Sequence, residues 1–180
     1  HNLMSEKIID PQDFLDRADL LGALGKTVMI SNFTRFDRVT EFLRKSTQTS
    51  IAMVMGVPTL NELLDDKYYA DLPGRILEGF GRLFQGPVRL LVYPTKDAST
   101  GEILTMDSVA VGAHQRKLFE WLCENGSIEP VREYDPAQLH ITPAEVLRLI
   151  QAGDPAWRGM VPAPVANLIA KPRLFSAMAA

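Results

Sequence analysis

Cysteine is almost absent. Cys123 stands alone in 180 residues, so no disulfide framework and no multi-cysteine zinc site can be built. Histidine is scarce as well: His1, His114 and His140 are too few and too dispersed for a histidine-rich metal cluster. There is no basic excess. Nineteen Lys and Arg face 22 Asp and Glu, a formal charge of −3, which weighs against binding a phosphate backbone; no nucleic-acid partner is expected. Long apolar runs are missing too. The longest, Ile51-Ala52-Met53-Val54-Met55, falls far short of the ~20 residues a membrane helix needs, so no membrane partner is expected. Residues 1–10 do not read as a signal peptide. The expectation is a protein of the reducing cytoplasm. No internal repeat, Walker loop, G-x-S-x-G or H-E-x-x-H motif occurs.

What is present is apolar residue in quantity, 46% of the chain. That suffices for a core without staples at this length. Residues 1–170 read as a single α/β domain and residues 171–180 as a tail. The start at His1-Asn2-Leu3-Met4 suggests the C-terminal piece of a longer protein, or a tag remnant.

Helix and strand signals alternate. Asp10-Pro11 opens a first helix, with Phe14, Ala18, Leu21 and Leu24 inward and Gly25 as stop. Thr27-Val28-Met29-Ile30-Ser31 reads as a first buried strand. Thr34 is placed to cap a helix that buries Phe36, Val39 and Leu43. Residues 50–56 form a second strand. Thr59 and Glu62 make a capping box for a short helix, and Asp71 caps a helix over residues 72–85. Residues 88–93 are the third strand. Residues 95–112 form an excursion, and residues 114–125 a helix with Leu118, Trp121 and Leu122 inward. Residues 128–134 are a weaker fourth strand. Thr142-Pro143-Ala144-Glu145 is another capping box, Gly153 ends its helix, and a last helix covers residues 164–170. Apolar strands alternating with helices predict a Rossmann-like parallel sheet of about four strands with helices on both faces. Ligands in such folds sit beyond the carboxyl ends of the strands. Those ends are Ser31-Asn32-Phe33-Thr34-Arg35, Gly56-Val57-Pro58-Thr59 and Tyr93-Pro94-Thr95-Lys96. Ser31, Asn32, Thr34, Arg35 and Gly56 are therefore ligand candidates, Thr34 and Arg35 at a helix start that suits an anion. A plain cap with a solvated arginine explains the same residues.

The C-terminal run is the most informative. It reads His140-Ile141-Thr142-Pro143-Ala144-Glu145-Val146-Leu147-Arg148, then Gly153, then Met160-Val161-Pro162-Ala163-Pro164-Val165-Ala166-Asn167-Leu168-Ile169. This resembles the closing segment of the nicotinate/nicotinamide mononucleotide adenylyltransferase family, in which an I-S-S-T-x-I-R helix start precedes a glycine and then L-V-P-x-x-V-x-x-Y-I. The match covers residues 140–169; the remainder is similar to the C-terminal part of long bacterial proteins described as adenylyltransferase-like. The resemblance implies a nucleotide-binding α/β fold, with ATP or a nicotinamide or nicotinate nucleotide as ligand and the Thr142 helix start near its phosphates. The pattern departs at three positions. Thr142 stands for the first Ser, but Pro143 and Ala144 replace the next two hydroxyls. Leu147 replaces the Arg, and Arg148 is one residue on, about 100° around a helix. Thr142 and Arg148 remain the ligand candidates of this segment. The family's H-x-G-H motif has no counterpart after the first expected strand, where the chain reads Ser31-Asn32-Phe33-Thr34-Arg35-Phe36-Asp37. Losing one preorganised donor costs about 10²–10³ in rate. The expectation is thus a degenerate nucleotide-binding domain with no catalytic residue assigned. The same run is also explained by a capped helix and a last helix closing a core.

Other features have plainer readings. Gly74, Gly79 and Gly81 fall at helical spacing and suit close packing better than a phosphate loop. Cys123 reads as an inert thiol, and Trp157 beside Arg158 as a residue pinning a loop. The alternative function is a non-enzymatic interaction or dimerisation domain, with the rest of a longer chain or a second copy as partner. Its surface would be the helix over residues 72–85 with Phe80 and Phe84.

Overall fold

The computed structural model describes residues 11–97 and 99–170. They fall into two units: residues 33–139 form one, and the residues on either side, to 32 and from 140, form the other.

The middle unit is built on a parallel sheet of β1 (Ile51–Gly56), β2 (Val88–Tyr93) and β5 (Ile128–Pro130), with β2 central. Ile51 aligns with Val88, Gly56 with Tyr93, and Leu90 with Ile128. Parallel neighbours need long crossovers. The first consists of α3 (Val57–Leu63), a 3-10 turn (Asp66–Tyr69) and α4 (Arg75–Leu83). The second holds the antiparallel hairpin of β3 (Thr95–Lys96) and β4 (Ile103–Leu104), then α5 (Arg116–Glu124). Alternation along the strands sorts the faces. Met55, Leu90, Val92 and Ile128 are buried against Leu60, Phe80, Leu83 and Leu122, while Ala52, Val54 and Arg89 on the opposite face are exposed. The structure is thus parallel α/β, with three strands in this sheet.

The first expected strand, residues 27–31, is not one. It has no strand partner among the described residues, and Val28, Met29 and Ile30 are 36%, 45% and 57% exposed. β-Branched composition favours a strand only where a neighbour completes the ladder. β5 is also shorter than expected and ends at Pro130, with one further bond to β2 from the Val131 N–H to Val92 O at 2.9 Å.

Helix starts differ from the sequence expectation for local reasons. Thr34 is exposed, and Arg35 takes the cap position of α2 (Phe36–Arg44) without a side-chain cap bond. α3 starts at Val57, ahead of Thr59, because Pro58 suits a first turn that has no use for its N–H. α4 starts only at Arg75, since Asp71 is taken by Arg35 and Glu78 accepts the Gly74 N–H instead. Trp121 on α5 is 59% exposed, and Leu122 alone turns fully inward. The turns after α4 and α5 do end as expected, at Gly86 and Gly126 with φ of 78° and 73°.

The other unit holds α1 (Pro11–Ala23), α6 (Pro143–Gln151), a 3-10 segment (Pro155–Met160) and α7 (Ala163–Ile169). Leu149, Trp157 and Ala166 form its small core. The Thr142 cap is present, its Oγ1 accepting the Glu145 N–H at 3.2 Å. In α1, Leu21 is 47% exposed rather than inward, and the deeply buried residue is Asp16, which accepts from Gln12 Nε2 at 2.7 Å. Asp10, the expected cap, and the tail at 171–180 lie outside the described residues.

One glycine is fixed by packing. A Cβ on Gly79 would lie 2.2 Å from Tyr69 Cδ1, whereas a Cβ on Gly81 would meet nothing within 4 Å. Tyr69 cannot retreat easily, because its hydroxyl donates to Leu63 O at 2.8 Å and its ring packs edge-on to Phe80. Gly79→Ala is expected to cost about 1–3 kcal/mol. Gly81→Ala should be neutral or stabilise by up to about 1 kcal/mol. Urea unfolding midpoints of the two variants check this pair.

Candidate functional site

β1 and β2 end side by side, Gly56 in register with Tyr93. Both chains turn at once, β1 into α3 and β2 through Pro94 into the β3–β4 hairpin. A Cβ on Gly56 would sit 2.8 Å from Thr95 Oγ1, so only glycine lets the two turns approach this closely. Beside them the half-buried rings of Tyr93 and Tyr134 meet at 6.1 Å between centroids, tilted by 65°. The carboxyl edge of the sheet thus presents a glycine, a threonine hydroxyl and two tyrosines. Thr95 Oγ1 fills the space over Gly56, so what this edge offers a ligand is a threonine hydroxyl and two half-buried aromatic rings.

The hairpin at this edge is set by Asp97. Its carboxylate accepts from Ser99 Oγ at 2.6 Å, Ser99 N at 2.8 Å and Thr100 N at 2.9 Å. Hydrogen bonding to the charged form, from the Ser99 hydroxyl first and then the two amides, pulls its pKa down to about 2. The bonded form of the turn is therefore complete above the ordinary carboxylate range and is lost only as pH falls through about 2.

The candidates named from the sequence divide between the two units. Ser31, Asn32, Thr142 and Arg148 belong to one; Thr34, Arg35 and Gly56 belong to the other. Ser31 and Asn32 are exposed in the unpaired stretch, and Thr34 is exposed before α2. Thr142 Oγ1 is used as the helix cap. Arg148 is bound to its own helix, donating from Nε and Nη2 to Glu145 at 2.8 and 2.7 Å. That hydrogen bond and charge raise its pKa and lower that of Glu145.

Arg35 is the most heavily engaged. Its Nε and Nη2 donate to the two oxygens of Asp37 at 3.0 and 3.3 Å, and Nη1 reaches both oxygens of Asp71 at 2.9 and 3.0 Å. Burial pulls its pKa down, but Asp37 and then Asp71 outweigh burial and the net shift is upward. Asp37 is 3% exposed. The guanidinium therefore ties the start of α2 to the turn ahead of α4. Tyr69 lies near the same group: burial first, and the Asp37 charge second, push its phenol well up.

Comparison with protein-family models, with curated proteins and with solved structures finds no match to this chain. The site is accordingly described by its own geometry. Sequence reasoning reached Gly56 and the strand end at Tyr93. It missed Tyr134, which follows a short strand and has no motif; its only signal was an aromatic residue just past a strand end. Among the described residues no group of three His, Cys, Asp or Glu side chains could hold a metal ion, and no helix is long and apolar enough to cross a membrane.

Two tests follow from the charges. Asp37→Ala leaves a largely buried guanidinium half-paired and should cost about 3–5 kcal/mol. Asp71→Ala should cost about 1 kcal/mol or less, because Asp71 is 70% exposed. Urea denaturation with an unchanged m-value is the check. In a proton-NMR pH titration, the Ser99 and Thr100 amide shifts should move with a midpoint near 2; a midpoint near 4, about the ordinary carboxylate value, would contradict the three hydrogen bonds.

Proposed function

We propose that this chain is a nucleotide-binding α/β domain, of the adenylyltransferase-like type its ending resembles, that binds without transferring a nucleotidyl group. The observation that carries the reading is the carboxyl edge of the parallel sheet, where Gly56 and Tyr93 lie in register beside the Tyr93–Tyr134 pair. The base would stack on the tyrosines, and the ribose and phosphates would lie against Thr95. Arg35 does not act on phosphate in this reading, because both its donor edges are held by carboxylates. The sequence carries no H-x-G-H after a first strand, which supports binding over catalysis. The ligand class is a mononucleotide or dinucleotide, ATP, AMP, NAD or a nicotinamide or nicotinate mononucleotide among them.

Isothermal titration with this set is expected to give saturable binding by at least one member. Tyr134→Ala should weaken it by roughly tenfold or more, since a base on an aromatic ring is worth about 1–3 kcal/mol. Arg35→Ala should act through stability rather than affinity. The absence of binding by every member at millimolar concentration would sink the reading.

A second reading, a non-enzymatic interaction or dimerisation domain, is favoured by a different observation. Val54 is 65% exposed in the middle of β1, beside exposed Ala52. The surface first expected for it does not hold, because Phe80 is 3% exposed and packs in the core with Phe84 against it. This reading predicts concentration-dependent sedimentation that Val54→Lys abolishes; a monomer at all concentrations would remove it.

A further inference from the structure

The parallel sheet ends on an open strand. β1 has β2 on one side and, among the described residues, no strand on the other. The register decides which main-chain groups that leaves free. The Ile51 N–H donates to Pro87 O at 2.9 Å, and Ile51 aligns with Val88. In a parallel ladder a residue turns both its main-chain groups to the same neighbour, and the next residue turns them the other way. Ile51, Met53 and Met55 therefore face β2, while Ala52 and Val54 turn N–H and C=O outward. Among the described residues no main-chain bond reaches those outward groups. Both residues are exposed, Val54 to 65%. Nothing in the strand guards this side. Ile51–Gly56 holds no charged residue and no proline, the usual devices that keep open strands apart.

An aromatic pair lies on the same flank, in the helix layer. Phe33 and Phe42 are 37% and 45% exposed, with ring centroids 5.7 Å apart. Phe42 belongs to α2, which packs against α4. Thr40 and Arg44 mark the α4 side of α2, because they share a cavity wall with Arg82 of α4. Phe42 is two residues from each, about 200° around the helix, so it points away from α4. α4 belongs to the crossover from β1 to β2, and α2 leads into β1. The flank of α2 that carries Phe42 thus lies on the open side of β1. Arg38, one turn before Phe42, is paired with Glu41 at 3.0 Å.

We propose that this flank binds a second copy of the chain, β1 pairing antiparallel with β1 of the other copy about a two-fold axis, Ala52 of each facing Val54 of the other. The pairing is self-complementary. Ala52 and Val54 each present both main-chain groups, so every outward N–H meets a C=O, and the small side chain meets the larger one. No like charges meet along the seam. A strand edge alone covers less than the roughly 800 Å² per partner of a standard interface. The Phe33–Phe42 pair beside it adds a second layer of apolar contact. The inference rests on the dimerisation reading above and names its surface.

The test combines sedimentation with amide hydrogen exchange of the isotope-labelled chain over a concentration series. The Ala52 and Val54 amides are expected to slow as the dimer forms, about tenfold when nine-tenths of the chain is dimeric. The Met53 and Met55 amides, which face β2, should be slow at every concentration. Val54→Pro removes an outward N–H that the β1–β2 ladder does not use, and should give a folded monomer. Should Val54→Pro fail to fold, Phe42→Glu on the outer flank of α2 carries the sedimentation test and should also give a monomer. A dimer whose Ala52 and Val54 amides exchange as fast as in the monomer would overturn the edge pairing and leave dimerisation through another surface standing. Protection of those two amides at every concentration would overturn it as well, since the edge would then be occupied within one chain. A monomer at all concentrations would overturn both the pairing and the dimerisation reading.

Discussion

Burial of one sheet face governs residues 33–139. Met55, Leu90, Val92 and Ile128 gain their burial only if Leu60, Phe80, Leu83 and Leu122 come down on the same side. Because the strands are parallel, the crossovers must both return the chain and supply that cover. Tyr69 and Gly79 show how little slack this leaves: the ring occupies the place a side chain would take. Arg35 closes the assembly at its rim, with its donors committed to Asp37 and Asp71. Two borders of the sheet are then left with different chemistry. The carboxyl edge carries a hydroxyl and aromatic rings, and the open side of β1 carries unpaired main-chain groups.

Much of the fold was legible as pattern. The apolar runs at Ile51–Gly56 and Val88–Tyr93 are strands at the expected places, and Gly25, Gly86, Gly126 and Gly153 end their helices with positive φ. These are local properties, fixed by a few adjacent residues. What pattern could not supply was partnership. Residues 27–31 have the composition of a buried strand and, among the described residues, no partner to make them one. Trp121 has the spacing of a core residue and lies outside, because the inward face of α5 is the one formed by Leu118, Phe119, Leu122 and Cys123. Asp71 has the chemistry of a cap, but Arg35, 36 positions away in sequence, takes it.

The same limit applies to the site. Thr142, Arg148 and Arg35 were plausible ligand groups by type, since hydroxyls and guanidiniums at helix starts suit anions. In the fold each is already engaged by a neighbour. Thr142 caps α6, Arg148 pairs with Glu145, and Arg35 joins two elements. Gly56 was reachable because a strand end followed by a turn is visible in sequence. Tyr134 was not, because its nearness to Tyr93 depends on β5 lying next to β2. The open side of β1 carried no motif at all; what marks it, among the described residues, is a missing neighbour that only the folded chain reveals.

The most direct measurement of the central claim, that the carboxyl edge of the sheet is a nucleotide site, is chemical-shift mapping of the isotope-labelled chain with the nucleotide that binds best. The account predicts that the largest amide perturbations cluster at Gly56, Tyr93, Thr95 and Tyr134. Perturbations confined to the neighbourhood of Thr142 and Arg148, or none anywhere, would contradict it.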